Sequence, residues 1–221
     1  MCLFTIFYLA TTSYSQFNLG VTYTIGILQA DAVDDIYSRY NASRPWLDVQ
    51  LDEINLLNGY AIGVRYKIER IALDLKWENQ INRSTASGID PANNSNFEQE
   101  VSFRLSSYGL GLEAFLSRHI SIQGNFEFNR VRFRSEINDS SNRFTLHNDW
   151  GIGSTFSIGV NLVSQGIVHV SLRPYIHVSW SGHELNGLDE ALNEDAPSAV
   201  PLEDDFVNFG LKVIFYNGSW Q

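Results

Sequence analysis

Residues 167–180 alternate between two kinds of side chain without a slip. One parity carries Val168, Val170, Leu172, Pro174, Ile176, Val178 and Trp180. The other carries His169, Ser171, Arg173, Tyr175, His177 and Ser179. A β-strand sends successive side chains to opposite faces, so this segment reads as a strand with one apolar and one polar face. Strands of soluble domains usually run to about five or six residues. A strand that crosses a bilayer at a tilt needs roughly nine to eleven. The length of this run points to a membrane-crossing strand.

Seven more segments keep the same rule, at 17–26, 60–67, 71–78, 101–114, 120–128, 150–160 and 207–216. In the fourth of these the parity changes. Val101, Phe103 and Leu105 give way at Ser106-Ser107 to Tyr108, Leu110, Leu112 and Ala114, a change that a β-bulge would produce. Short turns at 67–70, 117–119 and 163–166 alternate with longer polar connections at 29–57, 82–98, 135–149 and 181–205. Short turns at one end and long loops at the other are the layout of bacterial outer-membrane barrels, with the turns periplasmic and the loops extracellular.

The direction of the faces separates a membrane barrel from a soluble one, whose apolar parity points inward. The polar parity here is rich in glycine, including Gly20, Gly26, Gly63, Gly109, Gly111, Gly151, Gly153, Gly159 and Gly210. Such residues make room inside a narrow eight-stranded barrel. The same parity holds charges of both signs, and Arg65, Asp74, Lys76, Glu78, Glu127, Arg173 and Lys212 read as a network filling the lumen. Aromatics lie near segment ends on the apolar parity, at Phe17, Tyr66, Trp77, Trp150, Trp180 and Phe215, as interfacial girdles do. No run of apolar residues is long enough for a spanning helix. The expected fold is therefore an all-β, eight-stranded antiparallel up-and-down transmembrane barrel over 16–221. Its apolar face would meet outer-membrane lipid and lipopolysaccharide.

Residues 1–15 read as an export signal, an apolar stretch ending in the small residues of Ser13-Tyr14-Ser15. The single cysteine, Cys2, falls within it, so disulfide scaffolds and cysteine-ligated zinc are excluded from the remainder. A net charge of −10 argues against a nucleic-acid partner. No metal-spaced histidine pair, phosphate loop or cofactor fingerprint is present, so neither metal nor cofactor is expected.

On these patterns the chain resembles the small eight-stranded outer-membrane barrels of the OmpA and OmpX type over nearly its whole length. The Ser15-Gln16 junction and the ending Gly210-Leu211-Lys212-Val213-Ile214-Phe215-Tyr216 are similar to uncharacterised barrels of the Bacteroidetes. The resemblance implies an outer-membrane location.

One constellation suggests catalysis. His177 and Ser179 lie two apart on one strand, with Glu184 and Glu190 beyond them. Outer-membrane lipid A deacylases resemble this, with His177 as base, Ser179 as nucleophile and Glu184 or Glu190 as orienting acid. Against it, His169 and Ser171 repeat the spacing, and all four belong to the lumen parity. The favoured reading is an occluded barrel acting structurally or through its loops; a narrow pore is a further alternative. The 181–205 loop carries eight acids and no Lys or Arg, and reads as a solvated acidic rim. The 29–57 loop carries Trp46, Leu47, Val49, Leu51, Ile54, Leu56 and Leu57. It is too apolar to be a tether, and it would fold over the mouth or dock a partner protein.

Overall fold

The computed structural model describes residues 15–138, 143–162, 168–194 and 197–217. Most of the export-signal segment, 1–14, lies outside these residues, as does the whole of the 163–166 turn; Ser15 is the first residue of a strand. In chain order the elements are β1 (Ser15–Gln29), α1 (Asp31–Ser43), β2 (Leu47–Val49), β3 (Leu56–Ile68), β4 (Ile71–Asp90) and β5 (Ser95–Phe115). They continue with β6 (Ile120–Ile137), β7 (Phe144–Leu162), β8 (Val168–Ser179), β9 (His183–Glu184), α2 (Asn186–Leu192), β10 (Glu203–Asp204) and β11 (Val207–Asn217). β1, β3, β4, β5, β6, β7, β8 and β11 pair each with the next, all antiparallel. Pairing of β11 with β1, in register from Gly20 opposite Tyr216 to Gln29 opposite Val207, closes the ring. Eight strands in sequence order, closed by first and last, form an up-and-down barrel with no free edge.

The apolar parity faces outward around the lower barrel. Phe17 is 71% exposed, Leu75 63%, Leu110 62% and Phe156 57%, whereas Arg65, Glu113 and Arg173 on the other parity are fully enclosed. Such a wall is insoluble in water and suited to hydrocarbon, where only helices and closed barrels satisfy their backbone. The molecule is a membrane-spanning barrel of the outer-membrane kind.

The change of pattern at Ser106-Ser107 is not a bulge. β5 runs in unbroken register against both β4 and β6 through this point. Val101, Phe103, Leu105, Ser107, Gly109, Gly111 and Glu113 all point inward on one continuous parity. What changes is the chemistry of the two faces. β6 does the same: Ser121, Asn125, Glu127 and Asn129 face inward below, then Val131 and Phe133 above, while Phe126 and Phe128 on the outside are succeeded by Arg130, Arg132 and Arg134. Above this level the barrel is apolar inside and charged outside, like a soluble protein. The strands therefore continue beyond the lipid. Stretches expected to be loops, 82–90, 95–98 and 144–149, are barrel wall, and β4 joins β5 through four residues only.

Interior apolar residues at this upper level are covered by the long connections. α1 buries Val33, Ile36, Tyr37 and Tyr40, and the following segment buries Leu47, Leu51, Ile54 and Leu57. They join Phe103, Phe133, Phe206, Leu188 of α2 and others in one cluster. The 29–57 connection is thus folded over the mouth. Val49 and Leu56 are exposed, and Trp46 packs edge-on against Phe97.

Candidate functional site

The lumen holds two linked ionic groups. In the lower one, Glu113 forms ion pairs with Arg65 at 2.8 Å and with Arg173 at 2.6 Å, and Asp74 lies 3.5 Å from Arg65. Gln123 bridges the group, donating to Asp74 at 3.0 Å and accepting from Arg173. The Arg65 guanidinium lies 3.5 Å over the Tyr216 ring. In the upper one, Lys76 meets Glu127 at 2.6 Å and Glu78 at 3.2 Å, and Lys212 meets Glu78 at 2.6 Å. Thr24 and Gln80 also donate to Glu78. The seven expected lumen residues are all in this network, and Glu113, which joins the two buried arginines, completes it. Four cations then face four anions. A charge withdrawn from water is costly unless it is paired, and here each has an opposite charge within 3.5 Å.

Glycine on the lumen parity supplies the room. A Cβ on Gly111 would stand 2.0 Å from Asn125 Oδ1, and one on Gly26 would stand 2.3 Å from the Tyr175 hydroxyl. A lumen cavity lined by Gly20, Thr22, Asp74, Lys76, Lys212 and neighbours holds about 40 Å³. That is room for about one water. Eight strands leave an interior that side chains can fill, and here they do.

The expected catalytic set is not brought together. His177 belongs to the lumen network: its Nδ1 lies 3.1 Å from Thr155 Oγ1 and 3.2 Å from Glu127, and its Nε2 lies 3.2 Å from Asn129 Nδ2. Glu184 is exposed and accepts from Asn186, and Glu190 is exposed on α2. Ser179 instead stands 3.3 Å from His183 Nε2, and His183 Nδ1 is 2.9 Å from Asp149 Oδ2. A hydroxyl, an imidazole and a carboxylate are thereby aligned in the order that activates a serine. Burial lowers the His183 pKa, an effect that outweighs the Asp149 contact, so the ring is neutral at pH 7 as a general base must be. Gly151 makes the arrangement possible, because a Cβ there would be 2.6 Å from His183 Cε1. Phe206 lies against the other side of the ring at 5.2 Å, and Ser179 and His183 are both buried. Asp149 at the upper end of β7, followed two residues later by glycine, was the available signal for this partner.

The two long connections are tied together above this point. Arg39 of α1 bonds Asp189 of α2, and Arg44 donates to the Leu192 carbonyl at 3.3 Å. The first-turn amide of Ala32 donates to Asp204 at 2.9 Å, in place of a side-chain cap from α1's own sequence. Two of the acids expected to form a solvated rim, Asp189 and Asp204, are thus structural ties, and no cluster with metal-binding geometry occurs among the described residues. On the outer side of the cap, an open recess of about 670 Å³ is lined by Asp34, Tyr37, Ser38, Asn41, Asp52 and Glu53 among others.

No family model matches the chain and no curated protein matches it. Among solved structures, 21 chains match. Ail, the attachment invasion locus protein of Yersinia pestis, solved in complex with the heparin analogue sucrose octasulfate, is 9% identical with a TM-score of 0.48, covering 92% of this chain and 97% of that one. Neisserial surface protein A is 8% identical with a TM-score of 0.42, over 92% and 98% of the two chains. The outer membrane protease OmpT from Escherichia coli is 10% identical with a TM-score of 0.41, also over 92% and 98%. The present chain's own closed ring, outward apolar belt and ionic lumen identify it as an outer-membrane-type β-barrel.

Proposed function

We propose that this protein is a sealed outer-membrane barrel that works through its extracellular cap, as a structural and interaction element. The observation carrying this reading is the double closure of the lumen. Paired charges fill the membrane-spanning part, and α1, α2 and the segments around them fill the mouth with an apolar cluster. A solute pathway would need both layers removed. The acidic recess bounded by Asp34, Asp52 and Glu53 is the part of the cap with room for a partner, and its charge favours a basic one. The test is planar-bilayer recording on the full chain. Electrical silence is expected, and stable, reproducible unitary conductance would overturn the sealed reading. In parallel, a lysine-rich peptide should bind the wild type in a salt-sensitive way and lose that binding in Asp34→Asn/Glu53→Gln.

A second reading is supported by the Ser179, His183 and Asp149 geometry. It is an acyl-ester hydrolase, with Ser179 as nucleophile, His183 as base and Asp149 as the orienting carboxylate. Because both the serine and the imidazole are buried, it requires Phe206 and the cap to move aside. Covalent labelling of the intact protein by a fluorophosphonate, absent in Ser179→Ala, would support it; an unlabelled wild type would end it.

A further inference from the structure

The chain is acidic overall, yet six of its twelve arginines stand together on the outside of β4, β5 and β6 and just before β7. Their placement follows from strand register. Arg104 on β5 is directly opposite Arg132 on β6, and Ile81 on β4 is the next neighbour of Arg104 in the same row. One row higher, Arg83, Ser102 and Arg134 lie across the same three strands. Arg143 and Arg130 complete the group. Like charges directly opposite across a strand pair oppose sheet formation, and here they sit in unbroken ladders.

Local acids neutralise one edge of the group only. Glu100 lies 3.6 Å from Arg83 and 3.9 Å from Arg143, and Glu136 pairs with Arg143. Arg130 donates to Asn148 at 2.6 Å and lies over the Trp150 ring at 5.3 Å. Among the described residues no carboxylate forms an ion pair with Arg104, Arg132 or Arg134. Arg132 is the centre of the excess: its Nε is enclosed and without a hydrogen-bond partner. A gap of about 30 Å³ opens between the guanidinium-bearing side chains, lined by Arg83, Ser102, Arg104, Arg132, Arg134 and Arg143 among others.

The height of the patch decides what can fill that gap. Immediately beneath it the outer wall is Tyr108, Phe128 and Trp150, all about half exposed, and then the aliphatic belt. Arg132 is four residues above Phe128 on the same strand. At about 3.4 Å per residue and a tilt near 40°, that is roughly 10 Å of height. The headgroup layer begins at the edge of the hydrocarbon and is about 5–8 Å deep, and arginine side chains reach along a wall toward the charge that suits them. The unpaired guanidinium groups therefore stand at headgroup level, directly above apolar wall that acyl chains would cover.

We infer that this arginine face binds the phosphate-bearing headgroup of a lipid in the outer leaflet, with Arg104 and Arg132 as the phosphate ligands, Arg134 and Ser102 flanking them, and Tyr108 and Phe128 against the acyl chains. Guanidinium forks fit phosphate oxygens in pairs, which gives geometric as well as electrostatic selection. The bound anion would also relieve the cross-strand repulsion between Arg104 and Arg132.

Native mass spectrometry of the full chain in a neutral detergent tests this. Three probes are compared: bis-phosphorylated lipid A, the same lipid with both phosphates removed, and inorganic pyrophosphate. The wild type should retain the phosphorylated lipid at least tenfold better than either of the others. Arg104→Gln/Arg132→Gln should lose that preference, while Arg118→Gln, which removes a charge near the opposite end of the barrel, should keep it. If the double glutamine variant does not fold, as judged by its heat-dependent gel mobility, Arg104→Lys/Arg132→Lys keeps the charge and loses the forks, and its retention should fall severalfold. Equal retention of phosphorylated and dephosphorylated lipid would overturn the proposal. So would undiminished preference in the folded variants. Pyrophosphate bound as well as the lipid would identify a free-anion site and overturn the lipid assignment.

Discussion

Arg39 of α1 and Asp189 of α2 form an ion pair at 3.0 Å across 150 residues of chain. Asp189 is buried, and its carboxylate also accepts the Ser198 amide at 2.6 Å and Asn193 Nδ2 at 2.8 Å. Burial alone would raise its pKa. The Ser198 amide, Asn193 and Arg39 together outweigh that and hold the carboxyl below the usual range. Asp189→Ala strands three donors in the cap, each costing about 1–3 kcal/mol if left unsatisfied. Amide exchange across 186–193 and 31–43 should accelerate by at least tenfold, while the strands stay protected. An unchanged exchange pattern would mean that the two helices hold together without this pair.

The lumen makes a stronger claim. Glu113 is the common partner of Arg65 and Arg173. Removing one member of a buried pair costs about 3–5 kcal/mol, because it leaves a charge uncompensated. Glu113→Ala should lower the denaturant midpoint of the folded barrel substantially. Glu113→Ala/Arg65→Met should recover part of the loss, and equal midpoints for all three proteins would show that water enters the lumen freely.

Closure of the ring has its own weak point. Gly210 is opposite Gly26 on the β1–β11 seam, and a Cβ at 210 would stand 2.0 Å from the Ile25 carbonyl oxygen. That atom is backbone and has nowhere to go without parting the two strands. Gly210→Val is expected to cost more than the 1–3 kcal/mol of ordinary overpacking. The readout is loss of the fast-migrating unboiled band on a gel; full retention of that band would mean that the seam can spread.

The cap should respond to pH through Asp204. Burial, and beyond it Asp31, Asp205 and Asp34, push its pKa up to about 6, even though the Ala32 amide favours the charged form. An acid whose folded pKa lies above its unfolded one, near 3.8, favours folding most below that lower value and loses the contribution as pH rises through about 6. Burial likewise raises the pKa of Asp34 and so acts in the same direction, while His183, held neutral by burial, opposes both. The informative quantity is therefore a difference. Asp204→Asn should protect the α1 amides more than the wild type does at pH 7.5 and equally at pH 4.5. A constant difference across that range would remove Asp204 as the titrating group.

Alternation along the chain encodes which side of a strand a residue takes, and for all eight barrel strands that was readable, down to Arg65, Lys76 and Arg173 in the lumen. Alternation does not encode which solvent lies beyond the wall. Val101, Phe103 and Leu105 therefore suggested a bulge when they mark a barrel that has left the lipid. Segments such as 82–90 looked like loops because the hydrophobic belt, the feature that made the other strands visible, stops below them. The partners of Ser179 were hidden for a different reason. Asp149 comes from a neighbouring strand and His183 from beyond a turn, so no local spacing joins them, and the nearer pair His177 and Ser179 shares a parity without sharing a bond.

The reversal of faces along β5 and β6 also acts as a depth gauge. Sliding the barrel toward the periplasm by two residue rows would draw Arg130 and Arg132 into hydrocarbon, and sliding it outward by as much would wet Phe126 and Phe128. Arginine on a lipid-facing wall costs about 0–1 kcal/mol near the interface and about 2–4 kcal/mol at the midplane. Several arginines at one level therefore resist inward displacement together, and the aromatic row beneath them resists outward displacement. Vertical position in the bilayer is thereby written into the same strands that close the ring, and the cap is held at a fixed distance above the membrane surface.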